Sequence, residues 1–262
     1  MKYEFFARTD CGRVRSNNED AISVDAEANV AVLADGMGGY SAGEVAADMA
    51  TTFIRTEMGR WMAQAATPLS SHDIRRALEI CIDNANQAIY GAALSNPEYA
   101  GMGTTLVVGV LNGERLLLGH VGDSRCYRLR AGVLKQITRD HSWLQEQLDA
   151  GLLTPQQAAV SSSRNLVTRA LGVEPTVLVE INEFKMESND LLLMCSDGLS
   201  EMLDQDEIAA LVSTDETLEE KTTRLIAAAN ANGGRDNISV LLVQAGQAQR
   251  KSGFISRWLR AA

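Results

Sequence analysis

The chain has 262 residues, 45% of them hydrophobic and 22% charged, enough to bury one sizeable core. Its 34 acids against 24 bases leave a net charge of −10, and without a basic stripe this excludes a general nucleic-acid binder. No apolar run approaches the ~20 residues that span a bilayer, the N-terminus lacks the long apolar core of a leader, and Cys11, Cys81, Cys126 and Cys195 are scattered as reduced core thiols would be, so a cytoplasmic protein is expected.

Residues 3–11, 20–26 and 29–35 read as short strands. A helix is expected after Ser41, and a second near Ser70-x-x-Asp73, a capping pattern followed by Ile74, Leu78, Cys81, Ile82, Ala85 and Ile89 at helical spacing. Strands follow at Thr104–Leu111, Arg115–Val121, Arg125–Leu129 and Val133–Ile137. Asn112-Gly113 is a strong hairpin signal, so the block reads as an antiparallel meander. From His141 to Arg169 the pattern breaks into an exposed excursion, with a short helix near Trp143–Ala150 and the polar run Ser161-Ser162-Ser163-Arg164-Asn165. Strands return at 177–183 and 190–195, a helix carries Leu218, Thr222, Leu225, Ile226 and Ala229, and a last strand covers 238–243. Residues 245–262 form a basic amphipathic appendage with Phe254, Ile255, Trp258 and Leu259; a tail that frays or docks on its own domain is favoured over membrane or partner contact. Strand meanders with helices in separate blocks give an α+β class with antiparallel sheets.

Three strand-like runs stop at an aspartate flanked by glycine, at Asp35-Gly36, Gly122-Asp123 and Asp197-Gly198, and a fourth aspartate, Asp236, stands just before the last strand. Strands surface where they end, so four carboxylates can converge on one rim. Converging carboxylates repel unless a cation joins them, and an all-oxygen set favours Mg²⁺ or Mn²⁺ over zinc. His120 and His141 read as structural, because no histidine or cysteine partner stands at metal-ligand spacing. A cysteine-phosphatase loop, a Gly-Lys-Ser/Thr nucleotide loop and a His-Glu-x-x-His zinc motif are all absent from the sequence.

Arg15-Ser16-Asn17-Asn18-Glu19-Asp20, Asp35-Gly36-Met37-Gly38-Gly39, Met102-Gly103-Thr104-Thr105, Gly122-Asp123-Ser124-Arg125, Ser196-Asp197-Gly198 and Asp236-Asn237, in unbroken order over about residues 5–244, resemble the type 2C metal-dependent Ser/Thr protein phosphatases (the PPM family) in their compact bacterial form. The resemblance implies a four-layer α-β-β-α sandwich of two antiparallel sheets flanked by helices, a catalytic domain over 1–244 with a flap at about 141–169, and a tail at 245–262 outside it.

It also implies two core Mn²⁺ or Mg²⁺ ions. Asp35 would bridge them, Asp197 and Asp236 would complete one, and Glu19 with the Gly36 carbonyl would help hold the other. A weaker third ion would map to Asp123 with Asp197. Arg15 would bind phosphate, and Asp20 and Asn237 would stand close behind. The implied reaction is direct attack of a metal-bridging hydroxide on phosphoserine or phosphothreonine of proteins, opposing a bacterial Ser/Thr kinase. Where eukaryotic members carry a histidine two residues after the first metal-binding aspartate, this chain has Met37, so the general acid falls to a metal-bound water first and to Tyr40 second. A catalytically weak phosphoprotein-binding regulator of the same fold is the alternative, and a monomer is the expected state.

Overall fold

The computed structural model describes residues 1–39, 42–65, 69–154, 157–158 and 166–246. The tail from 247 onward, Tyr40 and the polar run 161–165 therefore lie outside the described residues. One antiparallel sheet has the order β1 (Tyr3–Asp10), β11 (Ile238–Ala245), β10 (Leu191–Cys195), β7 (Arg125–Arg130), β8 (Val133–Gln136). The other runs β2 (Asp20–Asp25), β3 (Val30–Met37), β5 (Leu106–Asn112), β6 (Arg115–Val121), β9 (Glu180–Lys185), with the two-residue β4 (Gly103–Thr104) paired to the end of β3.

The sheets stack face to face, and alternation along the strands assigns each side chain to a layer. Ala31 and Leu33 of β3 meet Leu241 and Val243 of β11 between the sheets. Val30, Val32 and Ala34 face outward onto the helices α1 (Ala42–Ala63) and α2 (Ser71–Ser95). The short α3 (Trp143–Asp149) follows β8, and Val240 and Leu242 face outward onto α4 (Asp197–Ser200), α5 (Gln205–Val212) and α6 (Leu218–Ala231). Being covered on both faces is why these strands read as unbroken apolar runs rather than alternating ones. The expected four-layer sandwich is the one observed.

The α2 expectation holds in detail. Ser70 and Asp73 close a reciprocal capping box, and Ile74, Leu78, Cys81, Ile82, Ala85 and Ile89 are all buried. No helix among the described residues is long and apolar enough to cross a membrane.

Four readings change. The block 104–137 is not one meander. The β5–β6 hairpin stays in one sheet, while β7 and β8 belong to the other, and the chain changes sheet at Gly122–Ser124. That change of sheet is what carries Asp123 to the edge of the sandwich. The strand expected at 177–183 runs instead over Glu180–Lys185, because Leu178 is exposed and the β6 pairing begins with Glu180 opposite His120. The third strand continues past Asp35 to Met37, since β4 supplies a partner for Gly36 and Met37. Finally α5, unexpected from the sequence, is launched by a capping box between Asp204 and Glu207.

Candidate functional site

One cleft of roughly 240 Å³ gathers Arg15, Glu19, Asp35, Gly36, Asp123, Asp197, Asp236 and Asn237, together with Met37, Gly38, Thr105 and Val167. Every expected ligand position is in this lining. Each arrives from a different place: Glu19 from the loop before β2, Asp35 and Gly36 from β3, Asp123 from the β6–β7 turn, Asp197 from the first residue of α4, and Asp236 from the residues entering β11. Tyr40 lies outside the described residues.

Backbone crowding positions the first group. Gly36 N–H donates to the Glu19 carbonyl at 3.1 Å. A Cβ on Gly36 would sit 2.0 Å from the Gly43 carbonyl oxygen, so only glycine lets β3 pass between the Glu19 loop and the start of α1. Asn237 ties the same loop down. Its Oδ1 accepts from Glu19 N–H at 2.8 Å, and its Nδ2 donates to the Cys11 and Asn17 carbonyls at 3.1 and 2.8 Å. Asn237 therefore acts in the cleft lining as a brace for the Glu19 loop. Arg15 Nη2 donates to Asp236 Oδ2 at 2.7 Å while half of the arginine side chain stays exposed, leaving guanidinium donors for another anion.

The electrostatics follow from crowding like charges away from water. Asp35 is pushed well above the ordinary carboxylate range by burial first and then by Asp20, Asp197, Asp123 and Asp236. Asp197 is raised likewise, by burial and then by Asp123, Glu201 and Asp236. Burial and Asp140 raise Asp123 to about 6. Asp20, opposite Asp35 in the β2–β3 register, is raised to about 7, chiefly by burial. Its Oδ2 accepts from Ser196 Oγ at 2.7 Å, but its Oδ1 is buried without a hydrogen-bond partner. Such a cluster is unfavourable as it stands and is the environment a divalent cation relieves. All-oxygen donors, an orphaned buried carboxylate oxygen and mutual repulsion fit Mg²⁺ or Mn²⁺.

Two hydroxyls that the sequence reading passed over complete the wall. Thr105 Oγ1 accepts from Asp35 N–H at 3.0 Å and lies 2.7 Å from Ser124 Oγ, so the β3 carboxylate and the Asp123 turn share one buried link. Both residues belong to segments already singled out, Met102–Thr105 and Gly122–Arg125, but nothing in their spacing says that they meet.

A second group lies behind Asp123. His120, His141 and Glu180 bring ligand-type atoms within 4.8 Å of one another, although the sequence puts no such partners near either histidine. Burial holds His120 far down, to about 3, and burial with the Arg169 cation lowers His141, so both rings are neutral at pH 7. His141 Nδ1 accepts from Gly122 N–H at 3.2 Å, which leaves the ring proton on Nε2, 3.4 Å from Glu180 Oε2. Arg169 Nη1 also approaches Nε2, at 3.4 Å. With one lone pair engaged and a fixed cation beside the other nitrogen, His141 is held as a hydrogen-bonded brace, whereas His120 packs its ring 4.6 Å from that of His141 with both ring nitrogens buried and without a hydrogen-bond partner among the described residues.

A family model described as protein phosphatase 2C matches residues 9–242. The serine/threonine phosphatase stp of Listeria monocytogenes is 39% identical over 247 residues, covering 93% of this chain and 96% of that protein. Among solved structures, the Mycobacterium tuberculosis serine/threonine phosphatase PstP/Ppp matches with a TM-score of 0.86 at 34% identity, over 94% of this chain and 100% of that one. The catalytic domain of a serine threonine protein phosphatase PstP, in complex with two manganese ions, matches at 0.81 and 34% identity, over 94% and 99%.

Proposed function

The chain belongs to the protein phosphatase 2C family and is a serine/threonine protein phosphatase, and on that premise we propose that it dephosphorylates proteins by direct in-line attack of hydroxide on phosphorus at a divalent-cation centre, opposing a Ser/Thr kinase. The observation that carries this reading is the convergence of Asp35, Asp123, Asp197 and Asp236 on the cleft that also holds Arg15.

Asp35 would be shared between two cations, Asp197 and Asp236 would complete one site, and Glu19 with the Gly36 carbonyl would help hold the other. Asp123 with Asp197 would take a third, weaker ion. When bound, the cations lower the pKa of water into the neutral range and screen the charge of the attacked phosphate. The PstP structure with two manganese ions supports Mn²⁺ as one suitable metal.

The remaining work belongs to the chain. Arg15 offers a planar fork of donors for two phosphate oxygens, which fixes the phosphoryl group and balances its charge. Its contact with Asp236 keeps that fork at the cleft rather than in solvent. Asp20 and Asn237 hold the ligand-bearing segments in place. The proton that the leaving serine or threonine oxygen requires comes from water or from Tyr40.

Purified protein should release phosphate from a phosphothreonine peptide and from p-nitrophenyl phosphate with added Mn²⁺ or Mg²⁺, and lose that activity in excess EDTA. Equal turnover in EDTA would overturn the reading. A protein inactive with every metal yet binding phosphopeptide would instead be a regulator of this fold.

A further inference from the structure

The Gly122–Asp123 turn is where the chain leaves one sheet for the other, and it carries one of the carboxylates of the cleft. Gly122 has φ of +100°, and a Cβ there would lie 2.7 Å from the Thr105 methyl carbon, so the turn is pressed against the wall of the site. The His141 ring braces the turn from behind. His141, 6% exposed, receives the Gly122 N–H on Nδ1 and returns its own backbone N–H to the Gly122 carbonyl at 2.8 Å. Glu180, facing Nε2, selects the tautomer that leaves Nδ1 free to accept.

The same residue is tied to a further segment of the lining. The His141 carbonyl accepts from Thr168 N–H at 2.8 Å, and Ser142 bridges Val167, which lines the cleft. We infer that His141 is a positioning residue for the subsite of the third, weaker cation: its ring and backbone lock the Gly122–Asp123 turn to the segment bearing Val167, so that Asp123 faces Asp197 in one orientation. The inference rests on the reading of Asp123 as a ligand of the third, weaker ion.

The physical reason is the asymmetry of hydrogen bonding. Without the Nδ1 acceptor, a buried peptide N–H is orphaned, and a turn centred on glycine rotates to satisfy it rather than stay. The surrounding element survives that loss. Arg125 grips Asp140 through Nε and Nη2, and Cys126 N–H bonds Thr138 Oγ1 at 3.0 Å, so β7 and the 138–142 segment stay joined.

The test compares His141→Asn, His141→Gln and His141→Leu with Asp123→Asn. The asparagine Oδ1 occupies the place of Nδ1 and keeps the acceptor. Glutamine reaches only the Nε2 end, and leucine keeps bulk alone. Manganese calorimetry, the Mn²⁺ concentration for half-maximal turnover, and amide exchange at Gly122 are read on each.

His141→Leu and His141→Gln should keep the two tight ions, weaken the third about tenfold, as loss of a partner behind a metal ligand does, and expose the Gly122 amide to faster exchange. His141→Asn should stay within about twofold of wild type on all three readouts, since the bond it restores is the one that matters. A result in which all three His141 variants behave alike, in which glutamine rescues and asparagine does not, or in which the tight ions are lost with the weak one, overturns the inference while leaving the phosphatase reading intact. An Asp123→Asn protein with an unchanged metal requirement removes the third-ion reading and the inference with it.

Discussion

Arg15 separates phosphate recognition from cation binding. It contacts Asp236 yet remains half exposed, so its planar donors are available to a phosphate. Arg15→Lys keeps the charge but loses the fork. Hydrogen bonds to charged groups are worth ~1.5–3 kcal/mol, so kcat/KM for a phosphothreonine peptide should fall roughly 10- to 100-fold with tight manganese binding unchanged. Steady-state kinetics beside calorimetry checks this, and wild-type kinetics for the lysine variant would return Arg15 to a surface ion pair. Gly36 is the opposite case, a residue needed for what it lacks. Gly36→Ala puts a carbon into the Gly43 carbonyl and should abolish tight metal binding, because the Glu19 loop, β3 and α1 can no longer close together. Normal manganese affinity in that variant would show that the crowding is not needed.

At the level of elements, much of the sandwich was legible because strands covered on both faces are long apolar runs and α2 carries its cap and its 3.6-residue stripe openly. That stripe makes a prediction. Ile82→Ala, at a fully buried position, should cost about 2–5 kcal/mol in urea denaturation, whereas Ile80→Ala, at a 53% exposed one, should cost under about 0.5 kcal/mol. Comparable losses would mean that α2 presents a different face. The Asp123 and Asp197 positions were legible for a related reason, since a polar residue with glycine at the end of an apolar run marks where the strand surfaces, and Asp236 by standing just before such a run; Asp35 carries the same signal although β3 runs on to Met37. The meeting of His120, His141 and Glu180 was not legible. His120 meets Glu180 through the β6–β9 register, sixty positions apart in the chain, and a register shared by two strands leaves no mark in either alone. The break between the β5–β6 hairpin and β7 was hidden likewise, since Gly122-Asp123-Ser124 reads as a simple turn whether or not the chain changes sheet. The α5 cap at Asp204 and Glu207 is a local signal, but the eight-residue helix that it starts is too short to show a long apolar stripe.

For the whole molecule, the carboxylate cluster couples stability to pH and to metal. Asp123 and Asp20 have folded values of about 6 and about 7, and Asp35 and Asp197 are also raised, against ~3.9 for an unfolded aspartate. A carboxyl raised on folding favours the folded state fully below the unfolded value, and that contribution is lost as pH climbs through the folded one. Metal-free protein should thus shed the cluster's contribution between about pH 4 and 7, while cations that need the same groups deprotonated bind better over that range. The Tm difference between Mn²⁺ and EDTA should widen from pH 5 to 7.5 in thermal melts. A constant or narrowing gap would mean that these carboxylates do not form the cation site.

The most direct measurement is manganese calorimetry and phosphate release on the same samples of wild-type protein and Asp35→Asn. Asparagine keeps the size of the residue at the centre of the cleft while removing the charge that two cations would share. The two-cation centre predicts two tightly bound ions and Mn²⁺-dependent release from a phosphothreonine peptide in the wild type, and joint loss of tight binding and of turnover, by orders of magnitude, in a folded variant. An Asp35→Asn protein that binds manganese as before and hydrolyses the peptide at the wild-type rate would contradict it.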